Sequence, residues 1–212
     1  MPDNSADMLH KLIKDHLGVP KHGVECGAWF PAYVRLKPYA KHAQFKLLLI
    51  EPQPSPATEL ERAFSKYSNV SVLRKAIHPT EKSVVLDIPW HSKLGKYPSS
   101  CAYVQGTESP LLSSRGPSWK IWDRVTAAAV PFSSVDDGTF DVAVLDMEGA
   151  EWLALQDMVS RPKIIAVEFY SVSGYVNPHR DEIMAWMDAN GYVLTAAIEE
   201  DAFFLRMDGS VL

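Results

Sequence analysis

The sequence predicts an α/β fold: a seven-stranded, mostly parallel sheet with helices on both faces and a C-terminal antiparallel hairpin. Three observations support this prediction. Short aliphatic runs alternate with helical segments along the chain, an order typical of parallel strands joined by right-handed crossovers. Several of these runs are apolar throughout, as in strands covered on both faces. The last two predicted strands are joined by only three residues, Glu199-Glu200-Asp201, and so short a connection makes a hairpin.

Composition sets the class of protein. The 212 residues are 47% hydrophobic and 22% charged, which suits one domain with a sizeable core. Lys and Arg number 21 against 26 Asp and Glu, a net charge of −5, so the overall charge favours no nucleic acid partner. By their spacing, Cys26 and Cys101 make neither a disulfide framework nor a metal cluster. With no signal peptide or membrane-spanning run either, we expect a cytoplasmic protein that binds no membrane.

The pattern of residues in the N-terminal segment predicts a separate helix. We expect this helix in residues 1–20 and a single domain in residues 21–212. Ser5 is expected to cap the helix, and Gly18 and Pro20 to end it. Its apolar positions follow a helical period: Met8, Leu9, Leu12, Ile13 and Leu17.

The first half of the domain alternates strands and helices. A short strand at residues 23–28 runs into a glycine turn, and residues 30–42 are helix-like but contain two prolines. Residues 45–52 form the clearest strand, a helix follows at 55–67, and residues 70–77 form a third strand. This order implies parallel neighbours in one sheet.

An insertion at about residues 78–139 interrupts that order. It contains possible strands at 83–88 and 124–132, separated by residues 89–119, which are rich in Pro, Ser, Gly, Trp and Tyr. Because loops of this length in compact domains are usually functional or mobile, this segment is a candidate lid over the acceptor, with an ordinary surface excursion as the alternative. The central strand then precedes further strands at 163–169, 192–198 and 202–207, with a helix at 177–190.

The central strand ends in a group of acids. The apolar run Val142–Leu145 is followed by Asp146 and Glu148, which would share one face of the sheet if strand pairing continued that far. Ligands of open α/β sheets bind beyond the carboxyl ends of the strands, so these carboxylates are candidates for chemistry. Glu151 instead lies in a first helical turn, where the helix dipole gives it a structural role.

Two other predicted strands end in residues suited to a ligand. Gly27, after the first strand, lets backbone approach a ligand closely. Glu51, before Pro52, can accept both hydroxyls of a ribose, as an acid does at this position in nucleoside-binding sheets.

These three segments resemble motifs of the FkbM family of S-adenosylmethionine-dependent methyltransferases. That family shows an acid-x-Gly-Ala-Asn turn, a Phe-Glu-Pro strand end and an Asp-Val-Glu-Gly-Ala-Glu motif. The corresponding segments are Glu25-Cys26-Gly27-Ala28-Trp29, Ile50-Glu51-Pro52 and Asp146-Met147-Glu148-Gly149-Ala150-Glu151. The likeness continues through Lys75-Ala76-Ile77 and Val167-Glu168-Phe169 and spans about residues 23–169.

The resemblance implies a Rossmann-like class I methyltransferase fold, S-adenosylmethionine as cofactor, and methyl transfer to a hydroxyl of a sugar or other small molecule. It places Glu51 on the ribose, the 25–28 turn near the methionine part of the cofactor, and Ala76 and Ile77 near the adenine. Its cofactor-binding residues are Glu25, Cys26, Gly27, Ala28, Glu51, Pro52, Ala76, Ile77 and Asp146. The candidate catalytic residues are Asp146 and Glu148, either of which could act as base or attract the sulfonium.

Three alternatives remain open. No metal is assigned, but Asp146, Glu148 and Glu168 offer the oxygen ligands that Mg²⁺ prefers. Where the family has Asn and, two residues later, a second Gly, this chain has Trp29, Phe30 and Pro31, which keeps open a non-catalytic module that binds a nucleoside or a protein partner. A nicotinamide-dependent reductase is disfavoured because no Gly-x-Gly-x-x-Gly follows the first strand.

Overall fold

The computed structural model describes residues 4–91, 102–106, 119–169 and 176–207. The helices are α1 (Ser5–His16), α2 (Pro54–Phe64), α3 (Glu151–Leu155) and α4 (Arg180–Ala189). The strands are β1 (His22–Cys26), β2 (Lys46–Ile50), β3 (Val70–Leu73), β4 (Ala76–Ile77), β5 (Ser83–His91), β6 (Tyr103–Val104), β7 (Trp119–Val130), β8 (Val142–Leu145), β9 (Ile164–Glu168), β10 (Tyr192–Ile198) and β11 (Asp201–Arg206).

The main sheet confirms the predicted architecture. Among the described residues its seven strands lie in the order β10-β11-β9-β8-β1-β2-β3. All neighbours from β9 to β3 are parallel, whereas β11 pairs antiparallel with both β9 and β10. The strand order of this sheet has its switch point between β1 and β8. From β1 the chain adds β2 and β3 on one side, and then adds β8, β9, β10 and β11 on the other. In open α/β sheets, such a switch point is where ligands bind.

Both faces of the sheet are covered by apolar side chains. Every residue of β8 and β9 is buried, as their continuous apolar runs predict. The neighbouring residues Phe203 and Phe204 pack into two different clusters, because successive side chains of a strand point to opposite faces. Leu9 and Ile13 of α1 lie in the same cluster as Phe203, so α1 helps to cover one face of the sheet.

The cap of α1 differs from the prediction. The side chain of Asn4, one residue earlier than expected, accepts a hydrogen bond of 2.9 Å from the Asp7 N–H. Ser5 is buried inside the first turn, and its hydroxyl donates to the Asp201 carboxylate. Both Asn and Ser can cap a helix. Because the Ser5 hydroxyl is engaged by Asp201, a distant residue, the cap comes from Asn4.

The predicted helix-like segment at residues 30–42 is wrong. Within it the structure forms only the 3₁₀ turn Lys37–Tyr39, because proline lacks an N–H and restricts the residue before it. Val34 and Leu36 in this segment are nevertheless buried, so the chain is anchored without a regular helix.

The insertion forms a second sheet. The predicted third strand at 70–77 is divided: β3 pairs with β2 in the main sheet, and β4 pairs with β7. Among the described residues the second sheet has the order β4-β7-β5-β6, with β5 and β7 longer toward the tip of their hairpin than predicted. Most of the predicted lid at 89–119 lies outside the described residues. The described helices include none with the length and apolar character needed to cross a membrane.

Candidate active site

A pocket of about 580 Å³, counting the part open to solvent, lies at the carboxyl ends of β1, β2 and β8. The predicted site residues that line it are Gly27, Glu51, Pro52, Ala76, Ile77, Asp146 and Glu148. The structure therefore brings together residues from four separate segments of the sequence.

Gly27 is required by close backbone contact. Its φ is +77°, and a Cβ added there would lie 1.7 Å from the carbonyl oxygen of Asp146. The neighbouring backbone is tied down, because the Gly27 N–H donates to the Ile50 carbonyl at 2.9 Å and the Asp146 N–H donates to the Cys26 carbonyl at 3.1 Å. The ends of β1, β2 and β8 thus meet at a point that admits no side chain.

Glu51 lies buried at the end of β2, 2% exposed. Its two carboxylate oxygens accept backbone N–H groups, from Trp29 at 2.9 Å and from Gln53 at 2.8 Å. Burial raises the pKa of Glu51 to about 7, although those hydrogen bonds lower it. The Gln53 side chain also hydrogen-bonds this carboxylate, which lines the pocket where a ligand hydroxyl could reach it.

Trp29 has a left-handed backbone conformation, φ 47°, and lines the pocket. Its indole ring packs against Tyr33, with ring centroids 4.4 Å apart, and against Phe30 at 5.2 Å. The residue that departs from the family motif therefore supports Glu51 through its backbone N–H and forms part of the pocket wall through its side chain.

One wall of the pocket is apolar and comes from the second sheet. Ala76 and Ile77 of β4 are buried there, and Leu86 of β5 and Val104 of β6 also line it. The sequence indicated Ala76 and Ile77, but it gave no signal for Leu86 and Val104, because their position depends on how the second sheet pairs.

Three carboxylates converge beside this pocket. Asp146, Glu148 and Glu168 each place one carboxylate oxygen within 4.8 Å of the other two. The expectation that strand alternation would align Asp146 with Glu148 is wrong, since β8 ends at Leu145 and Glu148 turns the chain with φ 54°. The carboxylates meet because of this left-handed turn.

Arg35 forms an ion pair with Asp146. Its Nη2 donates to Oδ2 of Asp146 at 2.8 Å, and its Nη1 donates to Oδ1 of Asp201 at 2.9 Å. Burial raises the pKa of Asp146 despite the lowering effect of the guanidinium. Burial also raises the pKa of Glu168, and the charges of Glu148 and Asp146 raise it further.

Glu151 has the structural role predicted for it. It is 0% exposed, and its Oε1 accepts the N–H groups of Met147 at 2.7 Å and Gly149 at 3.2 Å. Its Oε2 accepts Nδ2 of Asn177 at 2.6 Å. Glu151 therefore fixes the turn that carries Glu148.

Glu25, Cys26 and Ala28 do not line the pocket, although they adjoin residues that do. Cys26 and Ala28 are buried in the two apolar clusters, and burial raises the pKa of the Cys26 thiol. The Glu25 carboxylate accepts the N–H groups of Arg35 at 2.8 Å and Leu36 at 3.0 Å. Its place in the structure is to hold the segment that carries Arg35.

Glu25 is expected to make stability depend on pH. Burial raises its pKa in the folded protein to about 7 from 4.5, so its stabilising contribution is complete below about pH 4.5 and is lost as the pH rises through 7. Each proton so linked changes the free energy of unfolding by about 1.4 kcal/mol per pH unit. Urea unfolding of Glu25→Gln should therefore show a smaller fall in stability across this range than the wild type. An unchanged slope, equal to that of the exposed control Glu81→Gln, would contradict the prediction.

A second, open cavity adjoins the first at Asp146. It encloses about 1000 Å³ including open space and is lined by α1, the segment around Tyr33 and Arg35, and the β10–β11 turn. Its walls are acidic; the carboxylates are those of Asp146, Glu168, Glu199, Glu200 and Asp201. Asp146 thus borders both cavities.

Comparison with known proteins agrees with this architecture. The family model described as "Methyltransferase FkbM domain" matches residues 23–194. No curated protein matches significantly. Similar solved structures include the N-methyltransferase NodS from Bradyrhizobium japonicum WM9, with 11% identity, coverage of 96% of this chain and 94% of that one, and a TM-score of 0.50.

Two further solved structures are less similar. The N-terminal domain of EvdMO1, determined with SAH and D-fucose, has 12% identity, covers 97% of this chain and 84% of that one, and has a TM-score of 0.47. A SAM-dependent methyltransferase from Aquifex aeolicus has 13% identity, 95% and 88% coverage, and a TM-score of 0.44. At such identities the likeness concerns the fold, whereas the family model covers most of the chain. The chain therefore belongs to the FkbM methyltransferase domain family, S-adenosylmethionine-dependent methyltransferases with the class I fold.

Proposed function

We propose that this protein transfers the methyl group of S-adenosylmethionine to a hydroxyl oxygen of a sugar or another small molecule. The observation that carries the proposal is the position of Asp146, which borders both the pocket at the strand ends and the second cavity. A donor bound in the first and an acceptor bound in the second would meet at this carboxylate.

The first pocket is the proposed cofactor site. Glu51 is the proposed partner of the ribose hydroxyls, and the backbone at Gly27 lies where the methionine part would pass. Pro52, Ala76 and Ile77 are proposed to contact the adenine from the apolar wall. Glu25, Cys26 and Ala28 adjoin Gly27 in the sequence but do not line the pocket, so we propose no direct cofactor contact for them.

Methyl transfer needs the acceptor oxygen, the methyl carbon and the sulfur nearly in line. The cofactor supplies an electrophilic methyl group on a positively charged sulfur, and much of the rate comes from positioning the acceptor against it. A hydroxyl must also lose its proton. Asp146 or Glu148 is the proposed base, because burial raises the pKa of Asp146 toward the range in which a carboxylate accepts a proton effectively.

The second cavity supports a hydroxylated rather than an anionic acceptor. Carboxylates accept hydrogen bonds from hydroxyl groups, whereas a phosphorylated or carboxylated molecule would meet like charge on its walls. The test is a screen of hydroxylated sugars and other neutral polyols with labelled S-adenosylmethionine. Methylated product in excess over enzyme supports the proposal and excludes the non-catalytic module that Trp29 and Pro31 kept open. Saturable cofactor binding with no turnover on any acceptor would favour that module.

Glu51 is expected to decide cofactor affinity. Glu51→Gln keeps the size of the side chain but removes the charge that strengthens two hydrogen bonds, each worth about 1.5–3 kcal/mol. Calorimetric titration with S-adenosylhomocysteine should therefore show a loss of affinity of roughly tenfold to a hundredfold. The matched control is Glu59→Gln, a change of a partly exposed carboxylate on α2. Equal affinity of both variants would remove Glu51 from the cofactor site.

A further inference from the structure

The carboxylate cluster contains a buried oxygen without a partner. Glu168 is 7% exposed, and its Oε2 accepts no hydrogen bond from any described residue. A buried carboxylate oxygen in this condition is costly unless a cation or a donor compensates it. Glu168 contributes to the group in which Asp146, Glu148 and Glu168 bring one oxygen each within 4.8 Å. We propose that these three carboxylates bind a divalent cation, Mg²⁺ or Mn²⁺.

The distances suit a hard cation. Oxygen ligands lie about 2.0–2.1 Å from Mg²⁺ and 2.3–2.6 Å from Ca²⁺, so two ligands of one ion are separated by at most about 4.2 Å and about 5 Å, respectively. Oxygens already within 4.8 Å therefore need only small side-chain rotations to coordinate one ion. Asp146 and Glu168, at the ends of β8 and β9, and Glu148, in the turn, provide three ligands. The remaining coordination positions are left for water or substrate.

Arg35 is compatible with this site. It donates to Oδ2 of Asp146, and the other oxygen of that carboxylate remains able to coordinate. The guanidinium carries one positive charge and also pairs with Asp201, so the negative charge of the three carboxylates is not balanced by it. A divalent cation restores the balance.

The role of the cation rests on the proposed function. The cluster contributes Asp146 and Glu168 to the wall of the second cavity, so a hydroxyl bound there could coordinate the cation. Coordination lowers the pKa of a hydroxyl, and a weak base such as a carboxylate then suffices to take its proton. Three carboxylates also outweigh the charge of a divalent cation, so the site stays attractive to the sulfonium.

The test is titration of MnCl₂ into the cofactor-free protein, followed by calorimetry and by the electron paramagnetic resonance signal of free Mn²⁺. The wild type should bind one Mn²⁺ saturably, and Mg²⁺ should compete. Glu168→Gln and Glu148→Gln should each lose at least about tenfold in affinity, since even residues that only support a ligand cost that much. Glu199→Gln is the matched control: it removes a charge from the same cavity but not from the cluster, and should bind Mn²⁺ nearly as the wild type does.

Two results would overturn the site: no saturable Mn²⁺ or Mg²⁺ binding by the wild type, or equal affinities in Glu168→Gln and Glu199→Gln. Folding is checked by thermal unfolding, in which Mn²⁺ should raise the Tm of the wild type and not that of Glu168→Gln. Because the titration uses neither cofactor nor acceptor, its outcome is independent of the proposed function. Methyl transfer that persists in excess chelator would support the proposed function and contradict the role of the cation in it.

Discussion

Asp146→Asn should lower kcat for methyl transfer by about 10²–10⁴-fold, the usual contribution of a general base. The amide keeps the shape of the side chain but cannot take the acceptor's proton or oppose the positive sulfur. Binding of S-adenosylhomocysteine should suffer much less than in Glu51→Gln, because its sulfur is uncharged. Single-turnover kinetics and calorimetry on the same preparation measure both effects.

The pH profile distinguishes a base from a structural contact. In the wild type, assayed with chelator so that no cation lies beside the carboxylates, kcat should rise with pH as Asp146 ionises, along a limb displaced above the ordinary aspartate range because burial raises the pKa of this group. That limb should vanish in Asp146→Asn. Arg35 keeps its second anchor at Asp201, so the fold should survive the change. Asp15→Asn, a change on the exposed face of α1, is the control, and a variant at Asp146 that turned over as fast as this control would refute the assignment.

Gly27→Ala should cost about 3 kcal/mol or more of stability and abolish cofactor binding. The new Cβ would lie 1.7 Å from the Asp146 carbonyl oxygen, and the hydrogen bonds that join β1 to β2 and β8 prevent the strands from separating freely. The left-handed conformation at φ +77° adds about 1–2 kcal/mol, and overpacking a further 1–3 kcal/mol. Urea unfolding and titration with S-adenosylhomocysteine measure the two effects.

Gly18→Ala is the matched control for this change. Gly18 has a similar φ of +68°, but a Cβ there would meet no described atom within 4 Å. It should lose only the conformational part, about 1–2 kcal/mol. If both variants lost the same stability, the close approach of Gly27 to Asp146 would play no part in the fold.

The two cavities and the acid cluster connect these predictions. In the proposed function, Glu51 would bind the donor and Asp146 would lie between donor and acceptor, while Gly27 lets three strand ends meet. The proposed cation lies at this meeting point. Loss of Glu51 is therefore expected to appear in cofactor affinity, and loss of Asp146 in turnover.

Local sequence patterns predict most strands of the main sheet and the acids that follow them. Aliphatic runs such as Val142–Leu145 are local signals, and an acid that directly follows one must lie at the carboxyl edge of the sheet. Asp146 and Glu51 were predictable for this reason, and the motif resemblance added the cofactor. The structural role of Glu151 was also predictable, because the first turn of a helix depends on residues close in sequence.

The tertiary structure decided which side chains meet. Arg35 pairs with Asp201, 166 positions away in the chain, and no local pattern indicates such a contact. Residues 70–77 divide between two sheets because β4 pairs with β7, which is distant in the sequence. Likewise, Glu25 and Gly27 are two residues apart, yet one anchors the Arg35 segment and the other lines the pocket. Local periodicity indicates where most strands of the main sheet lie, whereas the direction and partner of each polar side chain depend on the distant segments that pack against it.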